Sequence, residues 1–395
     1  MRTLYSLALL VLSPLLLLRS ARKYRGLHWG AAQRLGFNRP RIDRPIWIHA
    51  ASVGEVRAIA PIANQLLDHA PVLITTTTPT GRDQVLALCP GARHAFLPYD
   101  LPWAMGAWMR ALKPRCLLLV ETELWPNLIQ AARASAVPAV LVNGRLSKRS
   151  ARGYARMGAL ARNMMASLDG CLVQSVDHAK AFTGLGAQPL VIGNIKFDTE
   201  LPPSTLPPGR WIVAASTHAG EEAACLDAFM ALAQTQPDLK LLIVPRHPER
   251  FDEVVAECEA HGDVGRASLG QWGPSIVVGD AMGQLSGWLN GAAVAFIGGT
   301  LNPRGSQSPI EAALGGAVIV AGSSRYNFAE AYALLGHGAL IDVTGEAELA
   351  QAFADALGRD GAENAALVSA NRGATARTLA YLKSDVLAPV ADAGN

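Results

Sequence analysis

Short apolar runs alternate with amphipathic stretches along nearly the whole chain. In the first half, runs at 46–49, 72–76, 116–120, 139–142, 171–174 and 190–192 have the length of buried strands. Between most of them the apolar spacing becomes helical, at 55–68, 103–112, 124–136 and 177–185. The second half repeats the pattern. Strands are predicted at 211–215, 241–244, 276–278, 294–297, 317–320 and 339–341, and helices at 221–234, 251–261, 282–290, 310–314, 328–335 and 347–357. An alanine-rich segment, 363–382, reads as one closing helix. Strand–helix alternation of this kind predicts an α/β fold with doubly wound parallel sheets. The halves are separated by Pro202, Pro203, Pro207 and Pro208, which can continue neither a helix nor a central strand. The spacing therefore predicts a domain over 26–198, a linker over 199–210 and a second domain over 211–395; the last helix is expected to pack back on the first. Neither GxGxxG nor GxxxxGK[ST] follows a strand, which argues against dinucleotide oxidoreductases and P-loop NTPases.

In such folds ligands sit at the carboxyl ends of the strands. The first strand runs into Ala50-Ala51-Ser52-Val53-Gly54-Glu55. Glu55 then has two readings, a capping-box partner of Ser52 or a catalytic carboxylate. Glu121 and Glu123 follow another apolar run, where unpaired acids are costly unless used. For Glu123 the alternative is a helix start near Pro126. Lys196 can meet an anion or pair with Asp198. In the second half, Ser216-Thr217-His218, Arg246-His247 and Gly298-Gly299-Thr300 each leave a strand. Small residues, helix starts and a guanidinium suit a nucleotide phosphate. Arg246 has a second reading as a surface charge. Glu311 either binds ribose hydroxyls or completes a capping box with Ser308.

Charge adds a membrane to this picture. The net charge is +3, yet residues 1–60 carry ten Lys/Arg against two acids. A second basic run, Arg145 to Arg162, contains Lys148, Arg149, Arg152 and Arg156 and no acid. The apolar stretch 4–18 is followed by Arg19, Arg22, Lys23 and Arg25. Basic residues stay on the cytoplasmic side, so residues 1–25 read as a retained anchor with a basic flank rather than a cleaved signal peptide. Whether it crosses the bilayer or lies in the interface stays open. Anionic lipid is the partner expected for the basic runs, in preference to nucleic acid. The five cysteines are odd in number, and no CxxC or HExxH occurs, so free thiols and no metal site are expected.

Taken together, the motifs resemble the 3-deoxy-D-manno-octulosonic acid (Kdo) transferases of lipopolysaccharide synthesis. The matching segments are HAASVGEV (49–56), ETELWPNL (121–128), NGRLSKRSARGY (143–154), GNIKFD (193–198), ASTHAGEE (215–222), VPRHPERF (244–251), GDAMGQL (279–285), FIGGT (296–300), SPIEAALGG (308–316) and NFAE (327–330). The resemblance implies a GT-B fold, two Rossmann-like domains facing a cleft. It implies an inverting, metal-independent transfer from CMP-Kdo to a lipid A precursor at the inner membrane. It makes Glu55 the general base and places Glu121 and Lys196 around it. On the donor side it implies Arg246, Met282, Glu311, Asn327 and Glu330, with Ser216, Thr217, His247, Gly298 and Gly299 beside them. Arg19, Arg22, Lys23, Arg25, Arg145 and Arg149 fall to the acceptor and membrane. The chain departs from the family pattern at 305–308, at 322–325 and at Ala312, all on the donor side. Two other readings stand beside this one: a GT-B transferase with a different nucleotide sugar, and a non-catalytic paralogue.

Overall fold

The structure is a computed structural model and describes residues 1–387. The chain forms two compact units, Met1–Asp198 with the segment from Arg372, and Thr199–Asn371. The end of the range 211–395, residues 388–395, lies outside the described residues.

The first unit is built on β1 (Ile46–His49), β2 (Val72–Thr76), β3 (Arg93–Phe96), β4 (Cys116–Val120), β5 (Ala139–Gly144), β6 (Gly170–Val173) and β7 (Pro189–Val191). All neighbours pair in parallel, in the order β3-β2-β1-β4-β5-β6-β7. Successive side chains leave opposite faces of a strand. Ile46 and Ile48 thus enter one apolar layer, with helix Val53–Leu66, and Trp47 enters the other, with helices Pro102–Leu112 and Pro126–Ala134. Burial on both faces explains why the central strands read as continuous apolar runs.

The second unit repeats the plan with β8 (Arg210–Thr217), β9 (Leu239–Pro245), β10 (Val264–Arg266), β11 (Ile276–Val278), β12 (Val294–Ile297), β13 (Val318–Ala321) and β14 (Leu340–Asp342). Its order is β10-β11-β9-β8-β12-β13-β14, again all parallel. The winding reverses between β1 and β4 in one unit and between β8 and β12 in the other. Those are the switch points at which open α/β sheets form ligand crevices. The proline-rich stretch packs on the second unit: Thr205 donates to the Gly287 carbonyl, and Asn290 donates to that of Pro202.

The sequence pattern overlooks β3 and β10. Both are short edge strands carrying Arg93, His94 and Arg266 instead of an apolar run, as edges commonly do. It also overlooks helices Pro79–Leu88, Lys148–Arg156 and Ala159–Met165. The expected helix 363–382 is two helices, Ala362–Ala370 and Ala374–Tyr381, broken at Gly373, whose φ is 94°. The chain re-enters the first unit at that break. Asp198 accepts from the backbone N–H groups of Gly373 and Thr375, Arg377 Nε donates to the Ile192 carbonyl, and the Tyr381 hydroxyl bonds that of Asp169. Asp198 thus caps a helix, while Lys196 pairs with Glu121, the anion reading of its two alternatives. Asp198→Ala is expected to destabilise the first unit by about 1–2 kcal/mol, measured as a lowered urea midpoint.

The amino terminus is one helix, Arg2–Lys23, and among the described residues it alone is long and apolar enough to cross a membrane. Its 22 residues span about 33 Å, close to a hydrocarbon core. Leu4, Leu7, Val11, Leu12, Leu15 and Leu18 are exposed. Pro14 lacks the N–H that would reach the Leu10 carbonyl, and the Ser13 hydroxyl supplies a donor there at 2.8 Å. Near its start, Ser6 hydrogen-bonds Asn127 at 3.0 Å.

Candidate active site

At the first switch point β1 ends in a turn that opens helix Val53–Leu66 at Ser52. The capping box expected there does not close in the usual way. Ser52 makes no cap bond to a helix N–H; its hydroxyl donates to Glu55 Oε1 at 2.9 Å. Glu55 Oε2 accepts from the Ala51 N–H at 2.7 Å. The carboxylate is pinned by one bond on each oxygen and stays only partly covered. Burial above all pushes its pKa up to about 7 despite those two bonds.

Glu121 follows β4 with a left-handed backbone, φ 58°. Asn143 on β5 and Ser216 on β8 share that conformation, each with φ 56°. Such backbone is sparsely populated outside glycine and clusters at functional turns. The buried Glu121 carboxylate meets Lys196 Nζ and Arg145 Nε, both at 2.5 Å. Burial pushes this carboxyl up, but the two cations together hold it below the usual carboxylate range. Glu55, Glu121, Lys196 and Arg145 therefore share one loop cluster. Lys196 reaches it because Asn143 Oδ1 holds the Ile195 N–H at 3.1 Å, fixing the turn after β7.

Glu123 does not start the next helix. Asp100 does, accepting from the N–H groups of Asn127 (2.9 Å) and Leu128 (2.8 Å). Glu123 instead lies 3.2 Å from His49 Nε2 and accepts from Trp125 Nε1 at 2.9 Å. Sequence reasoning gave neither His49 nor Asp100 a role. A histidine closing an apolar strand was the available signal for the former. Arg149 is exposed on helix Lys148–Arg156, and Arg19, Arg22, Lys23 and Arg25 are exposed at the end of the amino-terminal helix.

At the second switch point, the turns after β8 and β12 are joined by a residue the sequence reading left without a role. Glu221 is 2% exposed. Its Oε2 accepts from the N–H groups of His218 (3.0 Å) and Gly299 (2.8 Å), and its Oε1 from that of Leu301 (3.1 Å). Burial pushes its carboxyl above the usual range in spite of those bonds. Beside it, buried Glu222 pairs with Arg250 at 2.6 Å. Gly298 passes so close to the Ser216 carbonyl that a Cβ would collide with it.

Arg246 and His247 are exposed just beyond β9, and Arg246 makes no ion pair among the described residues. The His218 and His247 rings lie 5.6 Å apart. Burial, then Arg304, then His247 hold His218 below the usual histidine range. These groups make a cation-rich strand end suited to a phosphate. Thr217 stays inside, its buried hydroxyl 3.5 Å from the Val244 carbonyl. At the start of helix Ile310–Leu314 the N-cap is Pro309, and Ser308 Oγ accepts from the Ile310 N–H at 3.4 Å rather than completing a box with Glu311. Glu311 instead accepts from the Ser286 hydroxyl at 2.6 Å. Met282 is 68% exposed beside the left-handed Gly283. Asn327 reaches the Ser306 carbonyl at 3.5 Å, and Glu330 lies in the first turn of helix Ala329–Leu335. Among the described residues, no three His, Cys, Asp or Glu side chains are grouped to hold a metal ion.

Residues 29–199 match the family described as 3-deoxy-D-manno-octulosonic-acid transferase (kdotransferase). The 3-deoxy-D-manno-octulosonic acid transferase of Bordetella pertussis is 36% identical over 84% of this chain and 85% of its own length. That of Haemophilus influenzae is 34% identical over 91% and 89%. Among solved structures, the glycotransferase of kitacinnamycin superposes with a TM-score of 0.56 at 16% identity, covering 87% of this chain and all of that one. This last likeness is one of fold, and the fold is GT-B.

Proposed function

The chain belongs to the 3-deoxy-D-manno-octulosonic acid transferases, and we propose that it moves Kdo from CMP-Kdo to a lipid A precursor, lipid IVA, with inversion. Glu55 is the general base. It takes the proton of the acceptor hydroxyl while that oxygen bonds the anomeric carbon and the bond to CMP breaks. The observation that carries the reading is the carboxylate itself. It stands at the switch point, held by Ser52 and Ala51, with a pKa of about 7. A base poised near the working pH combines the correct protonation state with useful basicity.

The anomeric carbon of Kdo bears a carboxylate, and its departure passes through an oxocarbenium-like state, as in glycoside hydrolysis. Lys196 and Arg145, fixed by Glu121, set positive charge beside Glu55 for an anionic substrate. On the donor side Arg246, His247 and the amides after β8 and β12 bind the CMP phosphate and stabilise it as it leaves, without a divalent cation. Ser216, Thr217, Gly298 and Gly299 shape those turns. Met282, Glu311, Asn327 and Glu330 complete the donor side.

The enzyme works at the cytoplasmic face of the inner membrane. The amino-terminal helix holds it there, and Arg19, Arg22, Lys23, Arg25 and Arg149 meet anionic headgroups. Each contributes about 1 kcal/mol of attraction near the surface.

The test is an assay in membranes with CMP-Kdo and tetra-acylated lipid A precursor. Kdo transfer that persists unchanged in EDTA is expected. No product with CMP-Kdo, but product with another nucleotide sugar, would replace the donor. No product with any donor, with CMP still raising the melting temperature, would make the chain a binding protein. Loss of activity in EDTA would sink the metal-free mechanism.

A further inference from the structure

His49 ends β1 fully buried, and its ring is held on both sides. Nδ1 lies 3.0 Å from the Thr75 carbonyl oxygen and 3.1 Å from the Thr75 hydroxyl oxygen. That hydroxyl already donates to the Ile48 carbonyl at 3.3 Å and accepts from Trp47 Nε1 at 2.9 Å. Both oxygens facing Nδ1 are therefore acceptors, and Nδ1 carries a hydrogen. Nε2 faces Glu123 Oε2, which also accepts from Trp125. An ionised carboxylate has no hydrogen to offer. A ring protonated at Nδ1 alone would set its lone pair against a half-buried carboxylate, an arrangement that costs free energy.

We infer that His49 donates from both ring nitrogens and forms a charge-neutral pair with Glu123, so that no bare third carboxylate faces Glu55. His49 is thus a positioning residue that acts through Glu123 and touches no reacting atom. The inference rests on Glu55 being the base. Three acidic side chains, Glu55, Glu121 and Glu123, interact here, and Glu121 is matched by Lys196 and Arg145. Asp100 and Tyr154 also face the pair. With the pair neutral, Glu55 ionises without meeting an unmatched carboxylate.

Single and double variants and one spectrum test this on the full chain in detergent micelles. In H49Q the amide cannot bring the extra proton and leaves Glu123 unmatched. The acid limb of kcat/KM is expected to move up by about one pH unit, with the plateau above pH 9 near wild type. In E123Q the ring relaxes to its neutral form, the pair stays uncharged and the limb stays in place. The double variant H49Q/E123Q returns the limb to its wild-type position, a rescue that a merely structural role would not produce. A downward move of about one unit in E123Q would mean that Glu123 is a bare anion, and would overturn the inference. So would an unmoved limb in a folded H49Q.

Selective ¹⁵N labelling of histidine reads the ring without reference to activity. Both His49 nitrogens are expected in the protonated range at pH 7.5. An unprotonated Nε2 in the wild type overturns the pair even if Glu55 is the base. Full activity in E55Q with both nitrogens protonated overturns the base and leaves the pair standing.

Discussion

Glu55→Gln is expected to lower kcat/KM by about 10²- to 10⁴-fold and, above pH 8, to raise the melting temperature. The two effects have one cause. In the folded chain, burial above all holds Glu55 at about 7, against 4.5 for a free side chain. Between those values the unfolded chain releases the proton and the folded chain keeps it. Stability therefore falls as pH rises through that window and stays lower above pH 7. Glutamine has no proton to lose and escapes the fall. It still offers an oxygen to the Ala51 N–H and an amide to Ser52. The variant should be about 1–3 kcal/mol more stable at pH 8 and indistinguishable from wild type near pH 4. In the wild type the same ionisation sets the acid limb of activity near pH 7. Thermal denaturation at pH 4 and pH 8, beside a pH–rate profile, checks both halves. A variant that loses activity and stability together at pH 8 would make Glu55 a helix cap and no more.

Glu221→Ala has the second large effect, and it is structural. The substitution leaves the N–H groups of His218, Gly299 and Leu301 without their acceptor in a buried place. Each costs about 1–3 kcal/mol, and a total of about 3–5 kcal/mol is expected. In a unit of this size that lowers the melting temperature by about 10–15 °C. The turns after β8 and β12 lose their common acceptor, so added CMP should no longer raise the melting temperature. A drop of under 3 °C with CMP stabilisation intact would show that the turns hold themselves.

How far these sites could be read beforehand differs between the two units. Glu55 stood out as a candidate because an apolar run stops, a glycine follows and an acid opens a helix, a spacing that also fits a capping box. The turns after β8, β9 and β12 were legible as polar residues just beyond apolar runs. Glu221 was not. In sequence it is the first of two acids at a helix start, and only the approach of β12 to β8 brings the Gly299 and Leu301 amides to it. Asp100 was missed for a similar reason. It caps a helix 27 residues further along, from a different loop. For Lys196 the spacing left two partners open, because a neighbour two residues away competed with Glu121, 75 residues back. The buried acid won because two cations make its burial tolerable, whereas Asp198 was engaged by the amides of Gly373 and Thr375.

By itself the sequence determined two α/β halves, the proline break between them, the apolar helix at the start and the acids and basic residues at strand ends. Those features are local: periodicity, proline geometry and side-chain chemistry act over a few residues. The tertiary structure alone decided the strand order, and with it which turns became switch points. It decided that Glu121 pairs with both Lys196 and Arg145, that His49 meets Glu123, and that the closing helix breaks at Gly373. Those outcomes rest on contacts between residues far apart in the chain, and a parallel sheet brings them together only through its crossovers.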